Sequence, residues 1–268
     1  MKKTVKGHPE KRSDGKIKKP EGQQYDRYEF SFREWIIYSA LWLALDGGLS
    51  YIFFRSIPAF AILLPAFPLY IKFIRTRLKK KRKWKLLLQF TDALQGISTA
   101  LQAGNSAENA FRKTYVEMVR LHGESSDIAK ELHTIVRGVE NNRPIEGMLG
   151  DFANRSGIEE IEDFADIFSV GKRSGGNLRQ MISSCCNTIS DRVEMQREFR
   201  VMLSSKKFEL QIMSVVPVGI LFYIGSVQKG FFDVLYQSFQ GRMIMIVCFL
   251  LYLSAGFWGM KIIEKTGE

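Results

Sequence analysis

Residues 210–227 read LQIMSVVPVGILFYIGSV and residues 243–260 read MIMIVCFLLYLSAGFWGM, two stretches without a single charged side chain. A helix that crosses the hydrocarbon of a bilayer needs about 20 consecutive, mostly apolar residues. Two further stretches meet that requirement. Residues 35–54 read WIIYSALWLALDGGLSYIFF with Asp46 as the one charge, and residues 57–74 read IPAFAILLPAFPLYIKFI with Lys72 as the one charge. Arg55-Ser56 leaves room only for a tight link between these two. Nothing between 75 and 209 stays apolar for as long, so the four segments fall into two hairpins flanking a polar block. About thirty polar residues precede the first apolar run, which does not suit a cleaved signal peptide.

Charge distribution orients the chain. The formal net charge is +11, from 39 Lys+Arg and 28 Asp+Glu. Residues 1–33 contribute +5 and residues 72–85 contribute +9, which leaves the remainder slightly acidic. The run RTRLKKKRKWK (75–85) directly follows the second apolar segment, and Lys/Arg next to a span marks the cytoplasmic side. The basic tail, the sparsely charged loop 228–242 and Lys261 and Lys265 after the last span all agree with both termini and the block 75–209 lying in the cytoplasm. The same run also suits anionic membrane lipid. A nucleic-acid binder would carry its excess charge on a folded face, whereas residues 86–207 hold 15 Lys/Arg against 17 Asp/Glu. No nucleic-acid partner is expected.

Within the block the apolar period is helical. Leu86, Phe90, Ala93, Leu94, Ile97 and Leu101 recur at spacings of 3 and 4, one stripe of a helix. Gly104 ends it and Ser106 caps the next helix, which presents Ala107, Ala110, Phe111 and Met118. His122-Gly123-Glu124 breaks again, and Ser125 or Ser126 caps a helix carrying Ile128, Leu132, Ile135, Val136 and Val139. Asn141-Asn142-Arg143-Pro144 is a stop followed by a helix start, then Ile145, Met148, Leu149 and Phe152. Ser156-Gly157 closes that helix before Ile158–Val170. After the turn Gly171–Gly176, Asn177 caps a last helix with Leu178, Met181, Ile182, Cys185, Ile189 and Val193, with no break before 209. The fold class is therefore all-α: a multi-pass membrane protein with about four transmembrane helices in two hairpins around a six-helix cytoplasmic bundle. The domains are a basic tail 1–33, a hairpin 34–74, a helical domain 75–209 and a hairpin 210–263.

Chemistry is sparse. GKRSGGN (171–177) is not a phosphate loop, because Gly171-Lys172 is followed by Arg173 and Asp166 stands where the earlier Gly would be. Lys172, Arg173, Ser174, Gly175 and Gly176 read as an exposed helix–helix corner, either purely structural or a contact for a partner. The acids of EEIED (159–163) suit the first turn of a helix better than a metal site. His8, His122 and His133 assemble into no catalytic set, and no cofactor, metal or catalytic residue is expected. Asp46, before Gly47-Gly48, is either a contact to a partner helix or ion route, or a protonated or hydrated side chain where the helix is locally broken. Pro58, Pro65, Pro68 and Pro217 suit kinked spans.

Two stretches carry a family resemblance. LQGISTALQAGNSAENAF (94–111) and, more specifically, DFADIFSVGKRSGGNLRQMI (163–182) resemble the two corners of the type II secretion system F domain. The stretch from Pro217 through FFDVLYQSFQGRMIM to FWGMKIIEK resembles that family's last hairpin. One copy of the bundle with spans on both sides is similar to the Flp/Tad pilus platform, the TadB-like form. The resemblance implies a scaffold, not an enzyme, in a bacterial cytoplasmic (inner) membrane. Its partners would be a secretion ATPase, pilin subunits, and a second platform protein or another copy of itself. A small transporter or channel, or a membrane-anchored signalling module, is the alternative. The first would want several polar groups within the membrane and inverted repeats.

Overall fold

The computed structural model describes residue 25 and residues 32–54, 67–173, 178–228 and 238–266; all regular structure among them is helical. The eight helices among the described residues are α1 (Phe32–Phe54), α2 (Phe67–Gln102), α3 (Ala107–His122), α4 (Asp127–Glu140), α5 (Ile145–Ser156), α6 (Glu159–Arg173), α7 (Leu178–Val227) and α8 (Phe239–Thr266).

The short helices begin and end where side-chain chemistry says they should. Ser106 caps α3 by accepting from the Asn109 amide, and Ser126 caps α4 by accepting from the Ala129 amide. A cap of this kind satisfies an N–H that the helix itself leaves without a partner. Gly104, Gly123 and Gly157 have φ of +87°, +82° and +55°, left-handed values that glycine adopts without a Cβ penalty. Asn142 takes the same region at +57° and turns the chain toward Pro144 and α5. The cluster of breakers at 141–144 thus ends one helix and starts the next.

One element is longer than the sequence pattern suggested. α2 is one helix of 36 residues, roughly 54 Å at 1.5 Å per residue. It does not stop at the basic run and restart at Leu86; it carries 75–85 as continuous helix into the core. α7 has 50 residues with Pro217 inside it, roughly 75 Å, and joins the last bundle helix to the apolar segment without interruption, as expected. α1 likewise runs through Gly47-Gly48, so the expected local break at that pair does not occur. The side chain of Asp46 lies outside the described residues.

The bundle is built from the second half of α2, α3 to α6, and the first part of α7. Its core is aromatic at the centre. Phe90 meets Phe164 at 5.7 Å and Phe152 at 6.0 Å, and Phe111 meets Phe168 at 5.8 Å, each edge-on, the arrangement the ring quadrupoles favour. Leu86, Leu94, Ile97, Leu132, Ile135, Leu149, Ile161 and Ile182 complete it. Gly96 sits where α2 crosses α3: a Cβ there would lie 3.1 Å from atoms of Thr114 and Glu117.

Outside the bundle, α1, α7 and α8 make a second packing unit. The Tyr252 hydroxyl donates to the Ser214 carbonyl at 2.7 Å, Trp42 stacks near Tyr70 at 4.7 Å, and Met245 and Phe249 are buried. Around them Ile37, Val215, Phe222, Leu250 and Trp258 face outward. Apolar side chains massed on a surface mark a membrane or partner face. Among the described residues one helix, α7, is long and apolar enough to cross a membrane, and α1 and α8 contain shorter apolar stretches at Trp35–Ala44 and Met243–Gly259. Most of the expected second span lies outside the described residues.

Removing the Phe164 ring, which is fully buried between Phe90 and Phe168, leaves a cavity no neighbour can fill. Phe164→Ala is expected to cost about 3–5 kcal/mol, read as a lowered unfolding midpoint of the full chain in detergent. Leu121→Ala, at a 62% exposed position on α3, should change it by no more than about 0.5 kcal/mol. Burial, with Asp163 nearby, pushes the Cys185 thiol up to about 11, and burial pushes Cys186 up to about 12. The thiolate is the nucleophile, so iodoacetamide at pH 8 should spare both in the native protein and modify them after denaturation. Their reactivity should rise only as pH climbs from 9 toward 11.

Candidate functional site

The helices α2 and α7 lie side by side and antiparallel along the bundle, and their contacts keep one register. Gln102 Nε2 donates to Ser183 Oγ at 3.0 Å, Cys186 Sγ to the Leu94 carbonyl at 3.4 Å, and Gln95 Nε2 to Ser190 Oγ at 3.3 Å. Farther along, the Arg200 guanidinium sits 3.9 Å over the Trp84 ring, a cation–π contact that also covers the arginine stem. From Gln102–Ser183 through Gln95–Ser190 to Trp84–Arg200, the move toward the α2 N-terminus is matched by one toward the α7 C-terminus. The same register, if extended beyond Trp84–Arg200, would bring Ile74 level with Leu210–Gln211. These are the residues at which both sequences turn apolar. On that extension the basic run 75–85 would stand level with the α7 stretch that holds Arg200, Lys206 and Lys207.

At the other end of this pair is the α6–α7 corner. Leu178 to Leu210 spans 32 steps of helix, roughly 48 Å, so the corner is the part of α7 farthest from the apolar boundary. Gly171 is buried and admits the α7 N-terminus closely; a Cβ on it would stand 2.7 Å from Leu178 Cδ1. Lys172 and Arg173 occupy the last turn of α6, where positive charge complements the helix dipole. Neither points freely outward. Lys172 Nζ bonds Glu146 on α5 at 3.2 Å, and the Arg173 guanidinium turns back to Ser169 Oγ at 2.6 Å. Ser174, Gly175 and Gly176, together with Asn177, lie outside the described residues.

The acids of 159–163 dock α6 on α7. Glu160 is buried and accepts from Gln196 Nε2 at 3.2 Å, while Arg192 faces Glu159 at 3.6 Å and Asp163 at 3.4 Å. Among the described residues no three His, Cys, Asp or Glu side chains gather as a metal ion would require. An open groove of about 640 Å³ lies between α2 and α3, with His122 Nε2 and Asp92 Oδ2 paired at its rim at 2.8 Å.

A charged cluster inside the bundle has no counterpart among the expectations drawn from sequence. Arg155 on α5 and Glu131 on α4 form a two-pronged pair, NH1 to Oε1 at 2.7 Å and NH2 to Oε2 at 2.5 Å, with both side chains only 5% exposed. Beside it Arg82 on α2 grips Asp127 through Nε and NH2 at 3.1 and 2.9 Å. One signal was available: Glu131 falls between Ile128 and Ile135 at spacings of 3 and 4, on the apolar stripe of α4. A charge at such a position implies a buried partner.

Comparison with known proteins adds a family assignment for the bundle and the helix that leaves it. The family model described as type II secretion system (T2SS), protein F, matches residues 93–225. That range begins on the core face of α2 and ends within the apolar part of α7. No curated protein and no solved structure matches the chain. Residues 93–225 are thus similar to the type II secretion system F domain, a domain found in the membrane platform proteins of secretion and pilus systems.

Proposed function

We propose that this chain is a platform subunit of a Flp/Tad-type (TadB-like) pilus or type II-like secretion machine, seated in a bacterial cytoplasmic membrane. It acts as a scaffold without a reaction of its own. It crosses the membrane four times, in the hairpins 34–74 and 210–263, with both termini and the domain 75–209 in the cytoplasm. The observation that carries the reading is the antiparallel contact of α2 and α7 from Gln102–Ser183 to Trp84–Arg200, a register that, if extended, would bring Ile74 level with Leu210.

The geometry suits mechanical transfer. A helix is stiff along its axis because every interior backbone group is bonded within it, and two helices locked side by side resist bending more than one. A push on the corner at 172–176 would travel the length of α7 into its apolar part. In this scheme a cytoplasmic secretion ATPase engages Lys172, Arg173, Ser174, Gly175 and Gly176. Pilin subunits meet the apolar faces of α1, α7 and α8, and a second platform protein or another copy completes the base. The basic collar formed by 75–85 holds anionic lipid, at about 1 kcal/mol per basic residue close to the headgroups.

Reversing both corner charges, Lys172→Glu with Arg173→Glu, should abolish co-purification of a secretion ATPase co-expressed from the same genome. Membrane insertion and the unfolding midpoint should stay unchanged, since exposed ion pairs contribute at most about 1 kcal/mol. Undiminished co-purification removes the corner from the contact. For topology, an impermeant maleimide applied to intact spheroplasts should modify Lys229→Cys and spare Glu124→Cys until the membrane is opened. Labelling of Glu124→Cys from outside would overturn the orientation.

A further inference from the structure

The tail 1–33 plays no part in the platform reading, yet one of its residues is among the most buried in the protein. Tyr25 is 2% exposed. Its hydroxyl donates to Glu131 Oε1 at 2.9 Å, its backbone N–H donates to the Arg155 carbonyl at 3.2 Å, and the Arg82 guanidinium lies over its ring at 5.0 Å. A single tail residue therefore touches α2, α4 and α5 at once.

The chemistry of the pocket explains why a tyrosine fills it. Glu131 is already gripped by Arg155 on both oxygens, so the buried pair has no net charge to offer a further ion. What it retains is acceptor capacity on Oε1. A phenol supplies one neutral donor there, an aromatic body that shields the ion pair from water, and a π-face for Arg82. Phenylalanine would fill the space without the donor; lysine would bring a third cation beside Arg82 and Arg155. Burial, then the negative charges of Glu131 and Asp127, push the Tyr25 hydroxyl far above the usual phenol range, so it stays a donor at any physiological pH.

We propose that Tyr25 is a peg that docks the N-terminal tail into a charged pocket between α2, α4 and α5 and so tethers the start of α1 to the bundle. Phe32, the first residue of α1, lies seven residues on from Tyr25, and a chain of that length reaches at most roughly 25 Å. With the peg seated, the bundle and α1 cannot separate beyond that span. Any larger relative movement must first unseat Tyr25. This inference does not rest on the platform reading: the peg would hold whether or not an ATPase binds.

Hydrogen exchange on the full chain in nanodiscs tests the docking. In the native protein the Tyr25 amide should exchange at least about tenfold more slowly than in the denatured chain. Tyr25→Phe removes a hydrogen bond to an ionised group, which should speed that amide by roughly ten- to a hundredfold, and Tyr25→Ala should release it fully. Exchange across α6 serves as the control for bundle folding. Should Tyr25→Ala loosen α6 as well, Tyr25→Phe, which keeps the ring, becomes the deciding variant. Pulsed electron resonance between labels at Arg33→Cys and Asn154→Cys, in a Cys248→Ser background, tests the tether. The distance distribution should be narrow in the parent and broad with Tyr25→Ala. An unprotected amide at Tyr25, a Tyr25→Phe protein that exchanges like the parent, or a distribution that Tyr25→Ala leaves unchanged would each overturn the proposal.

Discussion

The side-by-side contact of α2 and α7 is the constraint on which the other elements depend. The helices α3 to α6 are 12 to 16 residues long, a length at which an isolated helix is marginal in water. They persist because each lays an apolar face on that spine: Phe111 and Met118 of α3, Ile145 and Phe152 of α5, and Ile161, Phe164 and Phe168 of α6 all enter one core. The spine in turn is held by a few side-chain bonds and the Trp84–Arg200 stack rather than by apolar burial alone. Those polar contacts fix the register, which a purely apolar seam would leave free to slide by a turn.

Continuity of the two long helices is itself a solvation argument. A helix end leaves up to four N–H or C=O groups without partners. Placed at a boundary with hydrocarbon, such an end has no water to turn to. A helix that continues unbroken from polar into apolar sequence avoids the problem, and α2 from Ile74 to Arg75 and α7 from Glu209 to Leu210 are both continuous. The cost falls on α2, which must carry Lys79 with Lys83 and Lys81 with Lys85 at the repulsive i,i+4 spacing. Each such pair opposes helix formation by a few tenths of a kcal/mol, and the core stripe from Leu86 onward, buried to between 0% and 5% at Leu86, Leu87, Phe90, Ala93, Leu94, Ile97 and Leu101, more than offsets them.

That balance explains what the sequence made legible and what it did not. The caps at Ser106 and Ser126, the glycine stops at 104, 123 and 157, and the long run of α7 followed from local rules, because each is decided within a turn or two. The merging of the basic run with the Leu86 helix did not. A cluster of eight basic residues reads as a boundary until the anchoring on both sides is counted. The break expected at Gly47-Gly48 failed for a related reason: helix propensity is a weak prior when the flanking residues pack, as Trp42 does on Tyr70. Of the turn expected at Gly171–Gly176, residues 171–173 instead prolong α6 and residues 174–176 lie outside the described residues; the partners of its charges were not legible, since Glu146 is 26 residues from Lys172. Tyr25 was the least legible. No periodicity surrounds it, and its three partners lie on helices that only the tertiary fold brings together.

The placement of charge separates the rigid parts of the molecule from its adaptable ones. Glu131 and Arg155 are almost fully buried, and removing either leaves an uncompensated charge in a low-dielectric interior, typically a loss of about 3–5 kcal/mol. The pair does little for net stability compared with apolar residues of the same shape. What it does is forbid any arrangement of α4 and α5 in which the two groups do not meet, and that geometry creates the seat for the tail. At the α6–α7 corner the opposite holds. Lys172 with Glu146 and Arg173 with Ser169 are solvent-exposed contacts, each contributing at most about 1 kcal/mol. A partner carrying acidic groups can take over such cations at little expense, because water already screens the contacts they give up. The proposed scaffold would use this division: charges locked where the shape must hold, and charges loosely held where another protein would attach.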